Sequence, residues 1–236
     1  MCGSCTAVRQ VAHSVVCLAL LVLALGVGAQ LANAVVIYDN GAIPDQSNVS
    51  DPRANVFIAA DFSLSPGANT VTDVHWTGVY IPDTFPPTSD VIPATDDFTI
   101  QIYAAASGNP SLAPLHTFHV GNAVQRTDTG MDIIGILDLF SYSVDISPTT
   151  LTPGEVYWLS IFNLTVDDFV WAWALQQQVP GKSFATRGNP AVDWQLVEGY
   201  AMDFQLTGPS VPEPATLALV SIALAGLGFA RRRKAH

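Results

Sequence analysis

Between Val35 and Ser210 apolar residues come in short runs with a period of two, and Pro, Gly, Asn or Asp interrupts each run before a helical period is established. Alternation of that kind puts successive side chains on opposite faces of a pleated chain, so it commits the stretch to β-structure. In the run Val71 to Tyr80, Val74, Trp76 and Tyr80 share one face while Asp73, His75 and Thr77 share the other. Strands are also predicted at Val35 to Tyr38, Asn55 to Phe62, Phe98 to Ile102, Leu115 to Val120, Ile133 to Val144, Val156 to Asn163 and Phe169 to Gln176. Weaker ones follow at Ser183 to Thr186 and Tyr200 to Thr207. The prolines from Pro82 to Pro93 exclude both a helix and a central strand there. Nine or ten strands without an amphipathic helix predict an all-β fold, a single β-sandwich of jelly-roll or immunoglobulin-like arrangement.

Two apolar segments bracket this domain. Residues 1–34 carry one early cation, Arg9, then an apolar stretch from Val11 to Gly28, then Ala32-Asn33-Ala34. That is the pattern of a secretory signal peptide with signal peptidase as processing enzyme, Ala32 and Ala34 being the small residues read at the cut. All three cysteines, Cys2, Cys5 and Cys17, lie in this segment, so the mature chain has no disulfide and no thiolate chemistry. At the other end, residues 211–236 read Val211-Pro212-Glu213-Pro214, then an uncharged run from Ala215 to Ala230, then Arg231, Arg232, Arg233 and Lys234. Sixteen apolar residues make a helix of about 24 Å, short against a hydrocarbon core of about 30 Å. Snorkelling of the terminal cations makes such a marginal span feasible, and a marginal anchor suits a temporary one. The four cations fix the C-terminus on the cytoplasmic side and everything before Val211 outside.

The order of motif, transmembrane run and basic end resembles the PEP-CTERM sorting tail of exported bacterial proteins. The resemblance implies a Gram-negative, exopolysaccharide-producing host, transient anchoring in the inner membrane, cleavage by an exosortase near Val211, Pro212, Glu213 and Pro214, and release to the cell surface or extracellular matrix. Those four residues would be substrate positions of another enzyme. Between the two segments, Ile37-Tyr38-Asp39-Asn40-Gly41, Asp73-Val74-His75-Trp76 and Asp97-Phe98-Thr99-Ile100 look like stretches of other PEP-CTERM ectodomains, to which no activity attaches.

The chemistry of the domain is read from residues 35–210. Nineteen of the twenty acids fall there against Arg53, Arg126, Lys182 and Arg187, leaving it fifteen charges negative. Nucleic acid and anionic membrane surfaces are repelled by such a domain. His116 and His119 are three apart in a predicted strand and face apart, so they form no joint metal site. No Gly-x-Ser-x-Gly elbow accompanies the serines. In the pairs Asp96-Asp97 and Asp167-Asp168 neighbouring strand residues face apart and sit at strand edges, where turns hold Asp, which makes them a weak signal for a glycosidase dyad. The expectation is therefore no catalytic residue, no cofactor and no metal. Ca²⁺ is the one ion that hard-oxygen loops at Asp39-Asn40-Gly41 and Asp128 to Asp132 bring into consideration.

Aromatic residues offer the remaining signal. Phe169, Trp171, Trp173 and Leu175 share a face and read as core, with Ala172 and Ala174 on the reverse. Trp158, and Trp194 in its polar surroundings, stand as candidate sugar-stacking rings. Asn48-Val49-Ser50 and Asn163-Leu164-Thr165 match the N-glycan sequon, a short pattern that arises by chance. The function expected is that of an exported surface or extracellular-matrix protein associated with exopolysaccharide or biofilm and without its own catalysis. The alternatives are a carbohydrate-binding module that grips the polysaccharide, and a hydrolase of matrix glycans.

Overall fold

The computed structural model describes residues 34–83, 92–164 and 169–209. The signal segment through Asn33, the prolines between 84 and 91, the Asp167-Asp168 pair and the whole sorting tail lie outside the described residues. So do Ala32 and all eight residues of the sorting motif and basic cluster.

The described residues are all-β, and their one helical turn is a 3₁₀ turn at Pro52–Ala54 capped by Asp51, whose carboxylate accepts the Arg53 N–H. In chain order the strands are β1 Ala34–Asp39, β2 Gln46–Val49, β3 Phe57–Phe62, β4 Thr70–Pro82 and β5 Phe98–Ala106, then the two-residue β6 Asn109–Pro110 and β7 His116–Gly121. They continue with β8 Gln125–Ile133, β9 Leu137–Thr150, β10 Tyr157–Asn163, β11 Phe169–Gln177 and β12 Ser183–Arg187, and end with β13 Gln195–Glu198, β14 Tyr200–Met202 and β15 Phe204–Pro209.

These strands build two antiparallel sheets. In the larger, β4 lies between β9 on one side and β15 and β11 on the other, with β8 beyond β9, β1 beyond β15 and β2 and β14 against β11. The smaller runs β13-β12-β3-β10-β5, with β6 and β7 paired to β5. Trp76, Tyr80, Tyr142, Trp171, Trp173 and Phe204 of the larger sheet meet Ile58, Phe62, Phe98, Ile100, Leu159 and Ile161 of the smaller in one buried cluster. That is the inward half of each alternation, as the period-two pattern predicts. Ser50 ties the sheets together at one point. Its N–H donates to Trp171 O, while its hydroxyl donates to Ile161 O and its carbonyl accepts the Asn163 N–H.

Two local features of the larger sheet come from residues the pattern did not flag. Gly78 lies under the Trp171 indole, and a Cβ there would stand 2.5 Å from the ring. The single strand predicted over Ile133 to Val144 is instead two strands, because Ile134 and Gly135 both take positive φ and turn the chain between β8 and β9. A register shift between Asp128 and Asp132 bends this hairpin. Ile133, Leu137 and Leu139 thereby pack on Val79, Ala172 and Ala174, covering the outer side of β11.

Candidate functional site

The polar half of the β4 alternation builds the outer face of the larger sheet. Asp39, Gln205, His75, Ser143 and Gln125 follow one another in register across β1, β15, β4, β9 and β8. One step along, Thr77, Ser141 and Thr127 form a second row. One step the other way, Thr207, Asp73 and Asp145 form a third. A cleft of about 290 Å³ opens over the first two rows, between His75, Thr77, Gln125, Ser141, Ser143 and Asp203. Thr77 donates to Asp203 at 2.6 Å, and Gln205 donates to Asp39 at 2.9 Å. Burial, with a smaller push from Asp39, raises the Asp203 carboxyl above its ordinary value although the Thr77 hydrogen bond opposes this.

This face is a lattice of hydroxyl, amide, imidazole and carboxylate groups, the equipment for hydrogen-bonding a polyol. His75 Nε2 lies 3.2 Å from Asp73, and Ser143 stands opposite His75. The described hydrogen bonds include none from Ser143 to the imidazole, so the three residues are not assembled as a nucleophile with its base.

A second polar cluster is largely buried, with Arg126 at its partly exposed edge. Arg126 reaches from β8 to Asp96 at 3.2 Å, to the Tyr80 hydroxyl at 3.0 Å and to Pro93 O at 2.9 Å. Tyr80 donates to Asp96, and Asn163 donates to both Asp96 and the Tyr80 oxygen. Burial first, then the Asp96 carboxylate, pushes the Tyr80 phenol up, while the acid beside Arg126 holds its guanidinium high against desolvation. Each group has its partner here, and the cluster fastens the chain ahead of β5 to β4, β8 and β10. Asn163 also accepts the Asp97 N–H and is fully buried, so its sequon presents no accessible acceptor.

Trp158 and Trp194 correct the sugar-stacking expectation, because the folded domain leaves them 3% and 4% exposed. They belong to a small apolar cluster on the outer side of the smaller sheet with Phe57, Ala59, Tyr103 and Ala185. This is where the outward half of the doubly apolar strand β10 goes. The indole of Trp194 meets Tyr103 edge-on at 5.5 Å, and the Arg187 guanidinium lies 4.1 Å from the Trp194 ring centroid. Arg187 was not singled out in the sequence. A single Arg at a strand end gives no pattern to find.

The two loops considered for Ca²⁺ spend their oxygens locally. Asp39 Oδ1 accepts the Gly41 N–H and Asp128 Oδ1 the Gly130 N–H, as turn acids do. Asn40 is buried and accepts from Tyr38 and Lys182. Among the described residues no three His, Asp or Glu side chains gather as a metal would require. Phe118 stacks beside His116, and Thr99 is bonded to His119.

Among the described residues no helix is long and apolar enough to cross a membrane. What the fold defines is an all-β unit whose chain runs out of its last described strand at Pro209. The family model of the PEP-CTERM protein-sorting motif matches residues 210–234, starting one residue further on, and the chain is a PEP-CTERM protein by that motif. The motif implies export, transient membrane anchoring through this segment and processing by an exosortase. No curated protein and no solved structure matches the chain.

Proposed function

We propose that this is a surface or extracellular-matrix protein associated with exopolysaccharide, made of a non-catalytic β-sandwich over residues 35–210, a removed signal peptide over 1–34 and an exosortase-cut tail over 211–236. The observation that carries the reading is the junction at Pro209, where the packed strands stop and the sorting match begins. A cleavage motif placed there is read without unfolding the domain. The non-catalytic reading draws support from the Asp96-Arg126 cluster, whose charged and polar groups bond one another.

A second reading, in which the domain itself binds the polysaccharide, is favoured by the rows of hydroxyl and amide groups around His75 and Gln205. Sugars offer the matching alternation of donors and acceptors.

The test is the intact mass of the protein recovered from the medium and from membranes of a native host, for the wild type and for Pro212→Ala/Pro214→Ala. The wild type is expected outside the cell, ending near Val211 to Pro214, with the double variant held in the membrane at full length. A wild type that keeps Arg231 to His236 in the membrane makes the tail a permanent anchor and ends the sorting reading.

A further inference from the structure

The segment between β12 and β13 has an unusual attachment. Residues 188–193 are all exposed, and Trp194 immediately after them is buried. The backbone hydrogen bond described within this strap is local, Val192 N–H to Asn189 O, and the Asn189 side chain accepts the Ala191 N–H. The strap is held down by Arg187, which donates to Pro190 O at 3.3 Å, and by the Trp194 indole, whose N–H reaches Ser111 O at 3.3 Å. One clamp of two side chains thus fastens seven residues.

Beneath it the sheet is hollowed by small side chains. Ser160 of β10, Ala59 of β3 and Ala185 of β12 stand side by side in register. Tyr103 and Trp158, opposite each other, wall one end of this trough, and Arg187 opposite Phe57 walls the other. Clefts of about 480 and 500 Å³ open along the strap, both lined by Asp193 and Gln195, the first reaching Arg187 and the second Trp194 and Asn109.

Three polar groups on this outer face of the smaller sheet have no partner: Trp158 Nε1, Ser160 Oγ and Arg187 Nε. Their side chains are all more than nine-tenths buried. All three are hydrogen-bond donors. Arg187 spends three N–H groups on Leu112 O, Pro190 O and Tyr103 Oη, and no carboxylate among the described residues pairs with its charge. Unspent donors on the same face as a guanidinium without a carboxylate partner suit an acidic ligand, and the planar fork of Arg matches a carboxylate. Asn109 Oδ1, an unspent buried acceptor on the second cleft, is set to receive a hydroxyl.

We propose that the 188–194 strap is a lid, and that lifting Trp194 opens a binding site in which Arg187 takes the carboxylate of an acidic sugar in a glycan chain while Trp158 and Ser160 donate to other oxygens of the same glycan along the trough. The site rests on the reading that the protein works among extracellular polysaccharides and names the sugar class it takes. Asp193 at the mouth and the domain's net negative charge oppose a polyanion at long range. Recognition is therefore short-range, and binding strengthens with added salt, the reverse of attraction to a basic patch.

The full chain in detergent is titrated calorimetrically with oligogalacturonate, with its methyl ester, with sodium acetate and with neutral dextran. Oligogalacturonate is expected to bind, more tightly at 0.3 M than at 0.05 M salt, with the methyl ester at least tenfold weaker. Ser160→Ala and Trp158→Phe each remove one unspent donor and are expected to weaken oligogalacturonate several-fold, Ser160→Ala with the melting temperature unchanged or higher. Arg187→Gln abolishes binding, and Ser160→Ala keeps the test decisive if that variant does not fold. Equal binding of the ester, or oligogalacturonate affinity untouched in Ser160→Ala and Trp158→Phe, overturns the site, as does response to acetate alone with none to the oligomer. Dextran binding without oligogalacturonate binding ends this inference and leaves the polysaccharide reading standing. Silence toward all four overturns the lid site, and the export reading is then judged by the mass measurement alone.

Discussion

Ala34, the first described residue, stands directly opposite Pro209, the last, on the antiparallel pair β1 and β15. The chain thus enters and leaves its packed unit side by side, with Val35 opposite Gly208. Gly208 is there because β15 passes close to the Thr70 carbonyl, and a Cβ would come within 2.1 Å of that oxygen. Gly208→Ala forces β15 away from the backbone and is expected to destabilise the domain by about 1 to 3 kcal/mol, read as a lowered urea midpoint. An unchanged midpoint contradicts the close approach.

Asp96 and Asp97 are sequence neighbours with opposite fates. Asp96 is buried against Arg126, Tyr80 and Asn163, while Asp97 is exposed. Removing one partner of a buried pair leaves the other charge uncompensated, so Asp96→Ala is expected to cost about 3 to 5 kcal/mol. Asp97→Ala stays within about 0.5 kcal/mol. Chemical denaturation of the two variants side by side checks the contrast, and equal losses would show that the cluster does not hold the chain ahead of β5.

Asp73 faces Asp145 across β4 and β9. Burial, ahead of the Asp145 charge, raises its carboxyl above the ordinary 3.8, and the neighbouring His75 offsets only part of that. A folded-state value above the unfolded one means the native domain holds this proton more tightly. Its contribution therefore favours folding at low pH and is lost as pH rises through the raised value. Asp61 and Asp203 shift the same way, mainly by burial. Asp73→Asn removes the loss, so its urea midpoint relative to wild type is expected to climb as pH increases from the window just above 3.8 toward neutrality. A difference that stays flat or shrinks contradicts the assignment.

The strands were legible wherever burial is one-sided, since Val74, Trp76 and Tyr80 had to face inward and Asp73, His75 and Thr77 outward. Trp171 and Trp173 were placed in the core for the same reason, with the alanines behind them under the β8 and β9 hairpin. Strands such as β2 and β13 were not legible because their residues are polar or half-exposed, and their pairing partners alone define them. The hydroxyl and amide rows are invisible until register aligns four or five strands. Trp194 misled because local polarity was read as exposure, whereas its burial depends on Tyr103 and Arg187, distant in sequence or without pattern. The tail was legible as a motif because its recognition needs order along the chain and no tertiary contact.

The turn between β8 and β9 holds Ile134 at φ 50° and Gly135 at φ 73°, with the Ile136 N–H bonded to Ile133 O at 3.3 Å. Two successive positive φ values define the type I′ turn that suits the twist of a hairpin, and its first position favours Asn, Asp or Gly. A β-branched side chain there crowds its own backbone. Ile134 is 56% exposed, so it gains little burial in return. Its apolar flanks also explain why the turn was missed: Ile133, Ile134 and Ile136 continue a strand-like run that an Asn-Gly pair would have interrupted. Ile134→Asn is expected to stabilise the domain by about 1 kcal/mol through relief of that strain, seen as a higher melting temperature with an unchanged far-ultraviolet spectrum. Ile134→Val keeps the branch at Cβ and is expected to give no gain. Equal effects of the two would place the stabilisation in side-chain hydrophobicity and not in the backbone.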